Sequence, residues 1–267
     1  MIRDKLIERG VGAESDFRWR SHEITRIEGL SDAVFAFAVT LLVVSLEVPK
    51  TFDELWQTMH GFGAFAISFA MLLQLWYAQY LFFRRYALQD AITVTLNATL
   101  LFLVVFYVYP LKFLFTFLLT IWTRGSTSVR LSDGTIHEMI RQDQLSALMI
   151  VYGLGMVAVF TVLAVLYFHA RRKRALLELT PVEEFDTMTS AYQNLANAAV
   201  GVISVLMVVA GGLRMVAVAG FAYFLIPIAQ TFLGMSRGRL RRRFIASLTS
   251  ADSFTSRAAP EDSASGQ

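Results

Sequence analysis

Apolar positions in this chain come in long, nearly unbroken runs. Crossing a bilayer takes roughly 20 mostly apolar residues in a helix. Six stretches meet that length: about 29–48, 61–83, 91–111, 145–169, 193–210 and 213–234. The third stays apolar as far as Trp122, so its helix is expected to continue to the outer interface, where aromatic side chains anchor. Gly211 and Gly212 alone separate the fifth and sixth runs. Joined, they would make a helix about twice as long as a bilayer needs, so the glycine pair is read as a turn. Between the runs, 123–142 reads as an external loop of mixed charge and 170–192 as a link on the opposite side. Thr180-Pro181-x-Glu183 within that link has the form of a helix start, with a capping hydroxyl and a first-turn proline. The expected organisation is an N-terminal segment 1–26, a six-helix transmembrane domain 27–235 and a tail 236–267, basic at first and then disordered. The fold class is all-α, polytopic.

Composition agrees. Hydrophobic residues make up 55% of the 267 and charged residues 17%, against about 45–50% and about 25% in soluble domains. Cysteine is absent, which excludes disulfides, thiolate metal sites and a cysteine nucleophile. The first 26 residues are polar, so no cleavable signal is expected and the first span inserts as an anchor. Lys and Arg are divided eighteen to five between the two sides, with Lys112 near the outer interface. The positive-inside bias then puts both termini in the cytoplasm. The net charge of +3 follows from topology and does not point to nucleic acid. The Arg237–Arg243 cluster suits anionic lipid head groups.

Ionisable residues inside a membrane are costly and usually have a purpose. Asp32 lies several residues into the first span. It either sits at the interface as a first-turn helix charge or takes a partner from another helix or a water, because Arg26 points elsewhere on the helix. Gln74, Gln79, Asn97, Asn194 and Asn197 are amides suited to bonds between helices. The four histidines fall in separate segments without metal-ligand spacing, and no phosphate-binding, nucleophile-elbow or dinucleotide motif occurs. The chain therefore reads as neither an enzyme nor a cofactor protein. Phe37, Leu41, Val44 and Val48 form one stripe on the first span. Such a stripe makes apolar rings if several copies surround an axis. It serves equally well against lipid or another helix, and periodicity does not choose between these.

The motif around Asp32 adds a further reading. Arg26-Ile27-Glu28-Gly29-Leu30-Ser31-Asp32 resembles the R-x-x-x-F-S-D signature of the transmembrane protein 175 potassium channel family. Asp32-Ala33-Val34-Phe35-Ala36-Phe37-Ala38-Val39-Thr40-Leu41-Leu42 resembles that family's first helix. Trp76 with Arg84-Arg85, then Leu96-Asn97 and Pro110, extend the likeness to about residue 110. The resemblance implies a homotetramer of six-helix subunits in a prokaryotic plasma membrane, passing potassium ions passively along an axis lined by the first helices. No cofactor is implied, and the partners are other copies of the chain and membrane lipids. Carried over by position, Phe37, Leu41 and Val44 would form the constriction and Thr40 would supply a pore hydroxyl. Arg26, Ser31 and Asp32 would belong to a network that fixes the first helix. Leu30 stands at the motif's Phe, Phe37 at the usual Ile, and Ala78-Gln79-Tyr80 where the family has Asn-His-His. Gln79 or Tyr80 would then replace the imidazole as a hydrogen-bonding group. The alternative is a related membrane protein without potassium conduction, such as a proton-coupled transporter.

Overall fold

The computed structural model describes residues 17–21, 23–44, 50–52, 55–56, 59, 62–124, 128–130, 136–223 and 225–258. The first helix, α1, is Arg26–Val44. It starts in a capping box: Glu28 N donates to Thr25 Oγ1 at 3.2 Å, and Thr25 N to Glu28 Oε2 at 2.7 Å. Helix α2 is Phe62–Tyr86 and α3 is Ala91–Arg124, which carries the third apolar run through Trp122 as expected. An antiparallel hairpin follows, β1 (Ser128–Arg130) on β2 (Ile136–Glu138). The loop expected over 123–142 thus contains local strand pairing.

Helix α4 is Gln142–Arg172 and α5 is Pro181–Gly211. The start read from Thr180-Pro181-x-Glu183 is present as a full capping box. Gly212 ends α5 at φ +56, a backbone region that costs glycine nothing.

The run 213–234 is not one helix. A 3-10 turn Gly212–Met215 leads into the short α6 (Val216–Ala222), and α7 (Leu225–Ala258) begins after Tyr223. Pro227 gives the reason. It has no N–H for the Tyr223 carbonyl, and its ring crowds that carbonyl, so a continuous helix breaks there. Helix α7 also runs on to Ala258, into the segment expected to be disordered. Between Gly238 and Pro260 the chain has neither glycine nor proline to break a helix, and Arg and Ala, which favour helix, recur along it. Residues 259–267 lie outside the described residues.

Among the described residues four stretches are long and apolar enough to cross a membrane: Phe62–Tyr86, Ala91–Trp122, Gln142–Arg172 and Pro181–Ser247, the last folded at the glycine turn. Helix α1 carries Arg26, Glu28 and Asp32 among its first seven residues and is not one of them.

Helices α4 and α5 approach closely at glycines. A Cβ on Gly153 would stand 2.4 Å from Val205, and one on Gly201 would stand 2.9 Å from Val157. Such small residues let two membrane helices pack backbone to backbone. One apolar cluster joins Phe35, Ala38 and Leu42 of α1 to Leu72 of α2 and to Leu101, Val104 and Val108 of α3. Another, centred on Phe82, Tyr86, Leu163 and Tyr167, ties α2 to α4 at the opposite end from the hairpin and includes Phe17.

Candidate pore helix and its polar anchors

Helix α1 has two distinct faces. Ser31, Phe35, Ala38 and Leu42, spaced by four, three and four, are buried against α2 and α3. On the other side Ala33, Ala36, Phe37 and Thr40 are exposed, Phe37 by 55%. Leu41 lies between the faces, half-buried against the α1–α3 cluster. The Val44 side chain and Val48 lie outside the described residues. Thr40 Oγ1 donates to its own helix, to the Ala36 carbonyl at 2.9 Å. At the far end Lys112 Nζ reaches from α3 to the Leu42 carbonyl at 3.2 Å, satisfying an acceptor in the last turn of α1.

The buried face is fastened by a ring of neutral groups. Ser31 Oγ donates to the Ile27 carbonyl at 2.8 Å. It accepts from Gln79 Nε2 of α2 at 2.9 Å and from Asn97 Nδ2 of α3 at 3.0 Å. Gln79 Nε2 also donates to Asn97 Oδ1. All three residues are at most 2% exposed, so each bond replaces one that water cannot supply. Gln79 takes the place the resemblance gave to an imidazole, and its amide joins three helices without a titrating group.

Asp32 finds its partner on another helix, with Trp76 Nε1 donating to its Oδ1 at 2.7 Å. Arg26 is exposed, and among the described residues nothing joins it to Ser31 or Asp32. A cavity of about 190 Å³ lies beside this node, lined by Glu28, Asp32, Trp76, Gln79 and Arg84 among others.

A second anchor was not legible as a site. Residues 17–21 lie across the ends of α2 and α5. Arg20 N and Ser21 N both donate to the Arg84 carbonyl, at 3.0 and 3.3 Å. Phe17 is buried, edge-on to Tyr86, with the Arg85 guanidinium 5.0 Å from its ring centre. Arg20 Nη2 is 2.8 Å from Glu183 Oε2, and Glu183 is 1% exposed. In the sequence these arginines read as topology and Glu183 as a capping residue. The signal available was a buried-type aromatic, Phe17, set between charges.

Outside the spans, Asp90 precedes α3 and lies 2.8 Å from His169 Nε2. Burial pushes the Asp90 carboxyl up, but hydrogen bonds from Thr93 and His169, with the electrostatic pull of His169 and Lys173, hold it below its ordinary value. Arg241 pairs with Asp186 at 2.9 Å and Arg171 with Glu184 at 3.0 Å. Among the described residues no cluster of potential metal ligands occurs.

The chain is thus a multi-pass helical membrane protein, with one helix bound along one face and bare along the other. Residues 26–107 match the family described as the endosomal/lysosomal potassium channel TMEM175. A protein of Marivirga tractuosa named potassium channel is 40% identical over 242 residues, covering 89% of this chain and 98% of that one. A potassium channel of Chamaesiphon minutus is 34% identical over 115 residues, 40% of this chain and 57% of its own length. The crystal structure of a variant of the potassium channel MtTMEM175, bound to a nanobody–MBP fusion, superposes with a TM-score of 0.75 at 39% identity. It covers 86% of this chain and 100% of that one. The chain belongs to the TMEM175 potassium channel family, a family of channels and not of enzymes.

Proposed function

We propose that this chain is a potassium channel of the plasma membrane. Four copies of a six-span subunit, with both termini cytoplasmic, surround an axis lined by their α1 helices. The observation that carries this reading is the two-sidedness of α1. Ser31, Phe35, Ala38 and Leu42 are fastened to α2 and α3, while the Phe37 and Thr40 side is free for neighbouring copies.

On the axis, Phe37 would form an apolar ring that restricts hydrated ions, with Leu41 and Val44 further along the helix. Thr40 gives its hydroxyl proton to Ala36, which leaves the oxygen lone pairs to face a cation. Transport is passive and needs no cofactor. Arg26 lies on the same side of α1 as Phe37, at the cytoplasmic end. Proton-coupled transport finds no support at the buried node, since Ser31, Gln79 and Asn97 do not titrate near neutral pH.

The test is potassium flux into liposomes carrying the purified chain in a known orientation. Potassium uptake above that of empty liposomes is expected, and Phe37→Ala changes its rate or its preference over sodium. No flux from correctly inserted protein would sink the reading.

A further inference from the structure

We propose that Glu183 is a positioning residue for conduction, locking residues 17–21 across the ends of α2 and α5 and so setting where α1 begins. The proposal rests on the channel reading for its functional part. Its geometry stands independently.

A capping glutamate needs one oxygen for its own helix. Glu183 Oε2 meets that need by accepting from Thr180 N at 2.9 Å. Its other bonds come from more than 160 residues away in the chain. Oε1 accepts from Arg18 N at 2.9 Å and from Arg20 Nη1 at 3.2 Å, and Oε2 also accepts from Arg20 Nη2 at 2.8 Å. The carboxylate, almost wholly buried, therefore has four donors, about the number its lone pairs can serve.

The Arg20 fork is fixed from its far side too, with Nε donating to the Leu177 carbonyl at 2.9 Å and Nη1 to the Arg85 carbonyl at 3.2 Å. Glu178 takes a left-handed φ of +47, and its carbonyl accepts from Arg18 Nη2 at 2.7 Å. A non-glycine residue in that conformation is held by its surroundings. The bonds to Glu183 and to Arg84 thus gather three parts of the chain at one point: the end of α2, the turn after α4, and the start of α5.

The connection to α1 is short. Three residues separate Ser21, bonded to Arg84, from Thr25, which caps α1. Ser21 Oγ donates within that link, to the Glu23 carbonyl at 2.8 Å. A shift of the clasp is therefore transmitted to the first turn of α1, below Phe37 and Thr40.

Glu183→Gln separates the two roles. One amide oxygen still caps α5, but the new NH₂ faces the Arg20 donors. Trypsin digestion of the full-length chain in detergent, followed by mass spectrometry, reads the clasp directly. Cleavage after Arg18 and Arg20 is expected to accelerate by about tenfold or more, as the open form becomes more populated. Circular dichroism stays native. In liposomes the same variant is expected to change potassium flux by about twofold or more at a temperature where the fold is intact, an effect that mere stabilisation would not produce. Arg20→Lys keeps the charge and loses the fork, so it shows a smaller shift in the same direction; it decides the matter if Glu183→Gln fails to fold. Unchanged protection at Arg18 and Arg20 overturns the clasp. Faster cleavage with unchanged flux overturns the positioning role. A native chain that passes no potassium overturns the channel reading instead, and protection in Glu183→Gln still decides whether Glu183 holds the segment.

Discussion

The α1 helix is held at two depths by two different chemistries. Where α1 packs on α2 and α3, Ser31, Gln79 and Asn97 tie the three helices through uncharged groups. At one end of the helices, Arg20 and Glu183 tie the segment ahead of α1 to α2 and α5 through full charges. Surroundings account for the difference. A charge deep in hydrocarbon costs several kcal/mol, whereas an amide loses less and regains most of it by bonding to another helix. At the helix ends a guanidinium fork makes several directed bonds at once, which offsets the cost of burying the Glu183 carboxylate. Neutral bonds therefore suit a fixed junction of three helices, and charged ones suit a segment that must be captured from water.

The charged anchor is expected to be the more sensitive. Arg20→Met leaves the Glu183 carboxylate buried without its counter-charge, and breaking a pair in that way costs about 3–5 kcal/mol. Thermal unfolding in detergent, followed by near-ultraviolet circular dichroism, should show a larger drop in midpoint than any single substitution at the neutral anchor. A loss below about 1 kcal/mol would place this pair with ordinary surface salt bridges and erase the contrast.

The neutral anchor should respond differently. Gln79→Leu takes one donor from Ser31 and leaves Asn97 Oδ1 without its donor, and bonds of this kind between membrane helices are worth about 0.6–2 kcal/mol. Adding Asn97→Leu and Ser31→Ala removes the stranded groups. The triple variant is expected to lose less stability than the three single losses added together, because matched apolar groups leave nothing unsatisfied. Strict additivity in the same unfolding assay would show that the three residues do not act as one ring.

The two anchors also differ in how far the sequence reveals them. Continuous apolar runs exposed the spans, because in lipid a helix must satisfy its own backbone, and twenty apolar residues have few other uses. Asp32 read either as an interfacial helix charge or as a residue taking a partner from elsewhere, and Trp76 supplies that partner. Gln79 and Asn97 were visible as amides suited to bonds between helices. Their meeting at Ser31 depends on the rotation of three helices, which hydropathy does not carry. Arg18 and Arg20 were absorbed into the charge asymmetry, because a count of basic residues cannot separate an arginine in solvent from one that forks a buried carboxylate. The break in the sixth run lies away from its cause. Pro227 is plain in the sequence, but its effect falls four residues earlier, on the Tyr223 carbonyl. At the end of the chain, polar composition suggested disorder as far as 267, while no glycine or proline interrupts α7 between Gly238 and Ala258.

Asp90 offers a third case, a charge outside the spans and more exposed than either anchor. It lies in the short turn between α2 and α3, accepting from Thr93 Oγ1 at 2.6 Å and facing His169 Nε2 at 2.8 Å. Its carboxyl titrates below the ordinary 3.8, so the folded chain holds the ionised form more strongly than the unfolded chain does. The sign follows from that direction. The contribution of Asp90 to stability is complete above 3.8 and is lost as pH falls through the lower folded value. Its side chain is 30% exposed, and solvent screening limits the effect to about 1 kcal/mol, less than at either anchor. Asp90→Asn keeps an acceptor for Thr93 and gives up the charge. At about pH 7 the variant is expected to unfold a few degrees earlier than the native chain. As pH falls from about 5 to about 2 the gap closes, since protonation of Asp90 does to the native chain what the substitution has already done. A gap that stays constant over that range would mean that the position acts through packing and not through charge. Asp90 would then belong with the neutral anchor, and the contribution of charge would be confined to Glu183 and Arg20.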